Sequence, residues 1–247
     1  MNEQKNFDIT LAKLKTRGYW RVEFHPTEFK TDVIDSLLTC KDIMREASVH
    51  FRGWDVPHIP TQTDEKQDIY PKDSNRYESW IDWHLFKEVW RMYKSGKFTF
   101  LDGLKEHWYD EFDGWSPNPL PDLEPATVVD AINVIYTLTE LMYFFHNLSS
   151  KSPSVKNWAI KVTLNNIEGN RLTTLDRSRM PLHGGYTSHT ATIPVIDLEV
   201  SDIDLKNTKT CLKIAKDAAQ QVFQNFEWQA ADALIDGEQE KLINRRF

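Results

Sequence analysis

The chain has 247 residues, of which 40% are hydrophobic and 27% are charged. This length suffices for one large domain or two small ones, and the composition is that of a globular protein rather than a disordered one. The formal net charge of −7 leaves no overall positive field for nucleic acid, so direct nucleic-acid binding is not indicated.

Cysteine usage and the N-terminal residues point to a compartment. Cys40 and Cys211 lie far apart in helix-like patterns, which suits buried thiols better than a disulfide framework or a metal knuckle. Residues 1–7 lack the apolar run of a signal peptide. The most apolar stretch, 128–148, carries acidic and polar residues that a membrane span rarely tolerates. The sequence therefore predicts a cytoplasmic protein that does not contact a membrane.

Hydrophobic periodicity and turn signals predict an α+β chain. In chain order, the predicted elements are a helix over 8–16, a strand over 19–25, a helix over 32–47, a strand over 49–51, a loop over 60–76, strands over 77–83, 86–93 and 98–101, a helix over 102–112, a proline-rich linker over 113–125, a helix over 126–148, a strand over 158–164, a loop over 176–190, a strand over 191–200, and helices over 208–226 and 229–243. Ser95 and Gly96 predict a hairpin turn, and Pro194 predicts an edge position or a strand start.

The proline-rich linker divides the chain into two predicted halves. Residues 1–112 form an N-terminal α+β half rich in tryptophan, and residues 126–247 form a C-terminal α+β half that begins with the long apolar helix. Because this helix is apolar on nearly every side, it lies at the centre of the fold or in an interface between copies of the chain, and we favour the centre. We therefore expect mixed or antiparallel sheets with packed helices and a long central apolar helix, with one continuous domain as the alternative to two halves.

The first candidate site is the segment Arg52–His58, with the sequence RGWDVPH. A guanidinium beside an indole can bind a phosphate or stack on a base, and His58 is presented from the same loop. Trp90 can roof a ligand pocket between the halves together with Trp54. The sequence favours a structural explanation, in which Trp54 fills the core and Arg52 pairs with an acid.

Two segments resemble proteins of an uncharacterised prokaryotic family. They are Arg52–His58 and Glu88–Phe98, and the resemblance covers residues 1 to about 100. It implies no activity and no functional residue. It implies a bacterial or archaeal accessory protein. One context for such a protein is a gene encoded beside a nucleic-acid-handling or defence system.

The second candidate site is the acidic stretch 102–124, which has seven acids and one lysine. Trp108, Tyr109, Asp110 and Glu111 combine aromatic rings with negative charge in this stretch. Such a surface can dock on a basic partner or mimic the charge of nucleic acid. The structural alternative is a solvated helix and loop. We take these residues as the preferred partner site.

The third candidate is a divalent-metal site formed by His183, His189, Asp197 and Glu199. Two histidines six residues apart can share a metal, and two carboxylates on one strand face can hold one ion. The tripeptide Asp204-Leu205-Lys206 fits part of a nuclease pattern. Against this site, the spacing matches no established metal signature, and exposed acids also protect an edge strand from aggregation.

Several catalytic motifs are absent from the sequence. It has no phosphate-binding loop, dinucleotide-binding glycine motif, nucleophile elbow or Cys-x-x-Cys pair, so no motif requires a cofactor. We expect a non-enzymatic interaction or sensor module that binds a protein partner as an accessory subunit of a larger prokaryotic assembly, and the helix over 126–148 can also support a homo-oligomer. The alternative is a metal-dependent hydrolase or nuclease that uses His183, His189 and the acids near 197–204.

Overall fold

The computed structural model describes residues 3–112, 124–152, 154–176, 179, 182 and 184–245. Its helices are α1 (Glu3–Leu14), α2 (Leu37–Ala47), α3 (Ala131–Ser150), α4 (Asp202–Leu205), α5 (Thr208–Gln224) and α6 (Asp232–Ile243), with one 3-10 helix at Lys105–Glu111. Its strands are β1 (Tyr19–Pro26), β2 (Gln67–Pro71), β3 (Arg76–Trp83), β4 (Phe86–Tyr93), β5 (Phe98–Gly103), β6 (Val128–Asp130), β7 (Asn157–Asn165), β8 (Arg171–Thr173) and β9 (Thr192–Ser201). Among these described residues, no helix is long and apolar enough to cross a membrane.

One antiparallel sheet organises the fold. Its strands are hydrogen-bonded in the order β2-β3-β4-β5-β1-β7-β9, and all neighbouring pairs are antiparallel. A short parallel pair, β6 with β8, stands apart from it. The predicted α+β class with antiparallel strands is therefore confirmed.

The sheet joins the two segments that the sequence separates. β1 pairs with β5 on one side and with β7 on the other, so the strands of the two predicted halves form one sheet and meet at the β1–β7 pair. Most of the predicted linker, residues 113–123, lies outside the described residues. The division into two domains stays a prediction.

Most of the predicted strands match observed ones. The strands predicted over 19–25, 77–83, 86–93, 98–101, 158–164 and 191–200 correspond to β1, β3, β4, β5, β7 and β9. The predicted hairpin joins β4 to β5, and Gly96 adopts a φ of +79°, which glycine reaches without steric cost. β9 lies at an edge of the sheet, with Pro194 beside a register shift.

The sequence does not predict the short strands β2, β6 and β8. β2 falls in the predicted loop 60–76. The polar composition of this segment does not predict a strand, although β2 pairs with β3. β6 occupies the beginning of the predicted helix 126–148, so α3 begins only at Ala131. Short strands of this kind depend on partners far away in sequence, which local composition does not report.

Helix starts also differ from the predictions. α2 begins after Ser36, whose hydroxyl accepts a hydrogen bond from the Thr39 N–H at 3.1 Å. Asp32, the first residue of the predicted helix 32–47, pairs with Lys94 instead. The predicted helix 102–112 is a 3-10 helix over Lys105–Glu111. The predicted strand 49–51 is reduced to a single bridge between Val49 and Val56.

Helix α3 packs between the sheet and other helices. Asp130 caps its first turn by accepting a hydrogen bond from the Ile132 N–H at 3.0 Å. The Phe145 ring stacks on Phe24 of β1, with centroids 4.7 Å apart, and α5 and α6 also contact the helix. Most α3 side chains are therefore buried within one chain, which explains why this part of the sequence is so apolar.

The second face of the sheet is covered only in part. α1 packs on β3 and β4, where Phe7 joins Trp80 and Val89 in a small apolar cluster. Over β1, β7 and β9, this face carries solvent-exposed polar residues such as Arg21 and Lys161. An antiparallel sheet tolerates such a solvated face.

Candidate functional site

Buried carboxylates anchor the Arg52–His58 segment at both ends. The Arg52 guanidinium donates two hydrogen bonds to Glu140 of α3, one of them from Nε to Oε1 at 3.0 Å, and a third to Asn133 Oδ1 at 3.1 Å. Glu88 of β4 uses both of its oxygens. One accepts a hydrogen bond from Trp54 Nε1, and the other accepts from the His58 backbone N–H at 3.1 Å.

The rings of this segment are packed rather than presented. The Trp54 ring is stacked between Phe86 and His58, with centroid distances of 3.8 Å and 4.1 Å. Trp90 is buried, and its Nε1 donates to the His58 carbonyl oxygen at 3.0 Å. Because neighbours cover both faces of Trp54, it has no free face for a base or a ligand. The placement of these residues agrees with the structural explanation, in which Trp54 fills the core and Arg52 pairs with an acid.

An unusual set of acids lies beneath this segment. We define the buried acid cluster as five carboxylates together with two cations, Arg52 and Lys105. The carboxylates, all buried, are Glu88, Asp102, Glu106, Asp130 and Glu140. Acids exceed bases in this set, although ionised carboxylates are rarely buried without a partner.

The sheet brings two of these acids face to face. Glu88 and Asp102 are direct partners across β4 and β5, so their side chains lie on the same side of the sheet, with Cβ atoms about 5 Å apart. Asp102 is 8% exposed and accepts no hydrogen bond from the residues that the structure describes. It lines a cavity of about 10 Å³ together with Lys105 and Thr137, which is room for about one water molecule.

The other acids of the cluster are hydrogen-bonded. Glu106 Oε1 accepts from the Asp130 backbone N–H at 2.8 Å, and Glu106 Oε2 accepts from Asn133 Nδ2 at 3.4 Å. Glu140 is paired with Arg52. The ammonium group of Lys105 lies over the Phe86 ring, 4.8 Å from its centroid.

Burial moves the pKa values of several groups in the cluster toward neutral pH. It raises the pKa of Asp102 to about 7, and burial together with the charge of Asp102 raises the pKa of Glu88 to about 8. Burial and the charge of Glu106 raise the pKa of Asp130 to about 7. Burial and the charge of Arg52 lower the pKa of Lys105 to about 8. Such shifts occur at functional sites and also in structural ion networks.

Two acids in the described part of the acidic stretch, Asp110 and Glu111, are paired with cations of the same chain. Asp110 forms a two-pronged pair with Arg17, at 2.5 Å and 2.7 Å. Glu111 binds Lys13 at 2.8 Å and Lys87 at 3.0 Å. Asp113 and Asp122 lie outside the described residues.

Two described aromatic residues of this stretch, Trp108 and Tyr109, are buried at least in part. Trp108 is 1% exposed, with the Arg17 guanidinium 4.3 Å from its ring centroid. Tyr109 is partly buried, and burial raises the pKa of its hydroxyl. Asp110 and Glu111 already have counter-ions within the chain, and the partner site at Trp108, Tyr109, Asp110 and Glu111 stays a prediction.

The described members of the predicted metal site, His189, Asp197 and Glu199, do not assemble into a group. His183 lies outside the described residues, and His189 is exposed before β9. Asp197 and Glu199 are exposed on β9, where Asp197 Oδ2 lies 3.7 Å from Lys161 Nζ. Within the described ranges, no three or more His, Cys, Asp or Glu residues are placed to hold a metal ion.

The nearby Asp204-Leu205-Lys206 tripeptide has a local structural role. Asp204 Oδ2 accepts from the Ser201 hydroxyl at 2.6 Å, and Ser201 caps α4 by accepting from the Asp204 N–H at 3.1 Å. Lys206 pairs with Asp202 one turn earlier.

Sequence reasoning missed Asp102, Lys105, Glu106 and Glu140, and it used Glu88 only as part of a resemblance. A signal was nevertheless present in the strands. Glu88 alternates with Phe86, Trp90 and Met92, and Asp102 follows Phe98 and Phe100 at the same spacing. An acid on the apolar side of an alternating strand is a candidate for a buried charge.

Comparisons with protein-family models, with curated protein sequences and with solved structures found no match to this chain. A function must therefore be argued from the geometry and chemistry of its own residues.

Proposed function

We propose that this chain is a non-enzymatic interaction module that binds a protein partner as an accessory subunit of a larger assembly. The observation that carries the proposal is a pair of unusually exposed apolar side chains. Phe29, in the loop after β1, and Ile203, in α4, are both 82% exposed. Large apolar residues gain about 1.5–3 kcal/mol each when they are fully buried, so a partner that covers both is favoured.

The two residues lie at the same end of the sheet. The Thr27 N–H donates to the Asn157 carbonyl at 3.1 Å, and the Asp202 N–H donates to the Lys156 carbonyl at 2.8 Å. The loop that carries Phe29 and the helix that carries Ile203 therefore both attach to the start of β7. We call this surface, Phe29 and Ile203 with the adjoining residues 154–157, the apolar end.

A cavity of about 210 Å³ lies within the apolar end. Its lining includes Val33 and Val155 together with Lys30 and Lys156, and neither lysine forms an ion pair with a described residue. Glu28 also lines the cavity, so its two lysines and one acid leave a net charge of +1. Apolar contacts beside this positive charge suit a protein surface that is apolar with an acidic rim.

The proposal makes α3 the central helix of the fold rather than an interface. The sheet, α5 and α6 cover this helix within one chain, so little of it remains for a second copy. The apolar end then takes the role of the interface. The resemblance of Arg52–His58 and Glu88–Phe98 supports a prokaryotic setting, with a nucleic-acid-handling or defence-related assembly as one context. The cysteine usage of the sequence supports the cytoplasm as the compartment. No arrangement of described residues favours the alternative of a metal-dependent hydrolase or nuclease.

Quantitative affinity capture from an extract of the source cells tests the proposal. Three tagged full-length chains are compared: the natural chain, Phe29→Asp/Ile203→Asp, and Ile9→Asp as the matched control. Ile9 is 52% exposed on α1, which packs against β3 and β4 on the second face of the sheet. We expect specific proteins to be retained by the natural chain and the control and lost by the double variant.

The capture result is interpretable only if the three chains are equally well folded, which their unfolding temperatures report. All three chains should unfold at similar temperatures, because the substituted side chains are exposed. Equal retention of every captured protein by the double variant would overturn the assignment of the interface to the apolar end.

A further inference from the structure

We propose that the cross-strand pair Glu88–Asp102 binds one proton in the folded protein, and that release of this proton loosens the Arg52–His58 segment. This inference goes beyond the interaction surface, because the pair belongs to the buried acid cluster and not to the apolar end. It can therefore fail while the proposed function holds, and the reverse is also true.

The geometry of the strands requires the pair to hold a proton. Because Glu88 and Asp102 are direct partners on β4 and β5, their carboxyl groups project from neighbouring backbones toward the same buried side. Both residues are buried. Two ionised carboxylates at this separation repel each other strongly where water is excluded, and a shared proton removes the repulsion.

Several charged or titratable groups face the pair from the elements packed against it. Arg52, Lys105 and Glu140 act on the pair through their charges, and His58 contacts Glu88 through its backbone N–H. Glu106, Asp130 and Tyr136 lie in the same surroundings, where they interact with Lys105, with Glu106 and with Arg52, respectively. The Arg52 guanidinium is already paired with Glu140, and Lys105 forms no ion pair with a described residue. The charges of Lys105 and Arg52 offset part of the negative charge at Asp102, but neither cation forms an ion pair with the two carboxyls, so a proton completes their neutralisation.

Because the two carboxyls interact, their raised pKa values describe the pair as a whole, and the hydrogen bonds indicate which carboxyl carries the charge. Both oxygens of Glu88 accept hydrogen bonds, from Trp54 Nε1 and from the His58 N–H, and such bonds favour the ionised form. Asp102 accepts none and faces the small cavity, which suits the protonated form. Burial raises the pKa of both carboxyls, so the proton leaves near neutral pH.

Loss of the proton acts directly on the segment. When both carboxyls are ionised, Glu88 can relieve the repulsion by turning away from Asp102. That movement breaks its hydrogen bonds to Trp54 and to the His58 N–H, which are the contacts that hold this end of the segment. The Arg52–Glu140 pair holds the other end and is not changed directly.

Hydrogen exchange of the full chain tests the consequence. Exchange is compared at about pH 6 and about pH 8.5, after correction for the intrinsic effect of pH, in the natural chain, in Asp102→Asn and in Asp197→Asn as an exposed control. We expect the exchange of residues 52–58 to rise roughly tenfold at the higher pH, the equivalent of one pKa unit of coupling. Asp197→Asn should behave in the same way, and Asp102→Asn should stay protected at both pH values.

Carbon-13 chemical shifts of the side-chain carboxyls in the natural chain test the proton itself, whether or not Asp102→Asn folds. We expect the Asp102 resonance to titrate near neutral pH, and Glu88→Gln to lower its midpoint. Asp102 and Glu88 resonances that are both fully ionised at pH 6, where ordinary carboxyl groups are charged, would overturn the proposal. Protection of 52–58 that follows potassium concentration instead of pH would also overturn it, since a bound cation would then neutralise the pair.

Discussion

A single charged residue can be buried within an otherwise apolar helix when a residue of opposite charge reaches it. Glu140 lies within the apolar helix α3, and Arg52 reaches it from a loop far away in sequence. A buried pair of this kind gains little over apolar residues of the same shape, but its members depend strongly on each other. The pair therefore defines where the segment docks on α3.

Removing one member of this pair should be much worse than removing both. We expect Glu140→Leu to lower the free energy of unfolding by about 3–5 kcal/mol, because it leaves the Arg52 guanidinium without its counter-ion. Arg52→Met/Glu140→Leu should recover most of that loss. Urea denaturation of both variants and of Arg52→Met completes a double-mutant cycle, and purely additive effects would contradict the coupling.

Some helices begin, and some strands are connected, at residues whose side chains favour a cap or a turn. The Ser36 hydroxyl caps α2, and Gly96 turns the chain between β4 and β5. β2, β6 and β8 lack such signals and exist because a partner strand is present. Glycine has opposite effects in a left-handed turn and in a helix, which allows a matched comparison.

We expect Gly96→Ala to lower the free energy of unfolding by about 1–3 kcal/mol, the usual cost of a residue held in the left-handed region. The added Cβ would also lie 3.2 Å from Pro26 Cγ. Gly237→Ala in α6 should instead raise stability by about 0.5–1 kcal/mol, since the new methyl group meets no atom within 4 Å and helices favour alanine. Thermal or urea unfolding checks both signs, and stabilisation by Gly96→Ala would refute the argument.

At the scale of the whole molecule, one sheet connects strands from both sides of residues 113–125. β1, from the beginning of the chain, lies between β5 and β7, so residues on both sides of 113–125 need each other to complete the core. The sheet order therefore bears on whether the predicted halves can fold alone.

We expect the segments 1–112 and 126–247 not to fold cooperatively when each is expressed alone. The second segment would expose the edge of β7 and the apolar rings that pack on β1, including Trp158, which stacks on Phe24 at 4.3 Å. Coexpression should restore a folded complex. Circular dichroism and amide NMR spectra of each segment provide the test, and a cooperative unfolding transition in either one would support two independent domains.

The buried acid cluster should also make global stability depend on pH. The pKa values of Asp102, Asp130 and Glu88 are raised on folding, so their contribution is complete below the unfolded pKa and is lost as pH rises through about 7 to 8. The lowered pKa of His107, about 4, acts in the opposite direction, but only below about pH 6.5. Stability should therefore fall between about pH 6.5 and pH 8.

Chemical denaturation across this range measures the slope. Each additional proton bound by the folded state contributes about 1.4 kcal/mol per pH unit, and Asp102→Asn should flatten the slope by up to this amount. Asp197→Asn is the control, because its side chain is exposed on β9. A slope that Asp102→Asn leaves unchanged would show that Asp102 is ionised throughout.

The sequence by itself determined the α+β class, the long strands and the hairpin at Gly96. Alternation in 19–25, 86–93 and 158–164 reports which side of a strand is buried, and turn residues act over a few positions. Both signals are local, so they can be read without knowledge of the partner. The favoured explanation of Arg52 and Trp54 as packed residues also came from composition alone.

Only the tertiary structure decided which strands are neighbours and which charges meet. That Glu88 faces Asp102, that Arg52 reaches Glu140, and that Asp110 and Glu111 are neutralised by α1 and its neighbours all depend on residues far apart in the chain. The position of an acid in an alternating pattern indicates on which side of the strand or helix it lies. It does not indicate which residues of the rest of the chain pack against it. The physical reason is that pairing and burial are set by long-range contacts, whereas sequence patterns record only local geometry.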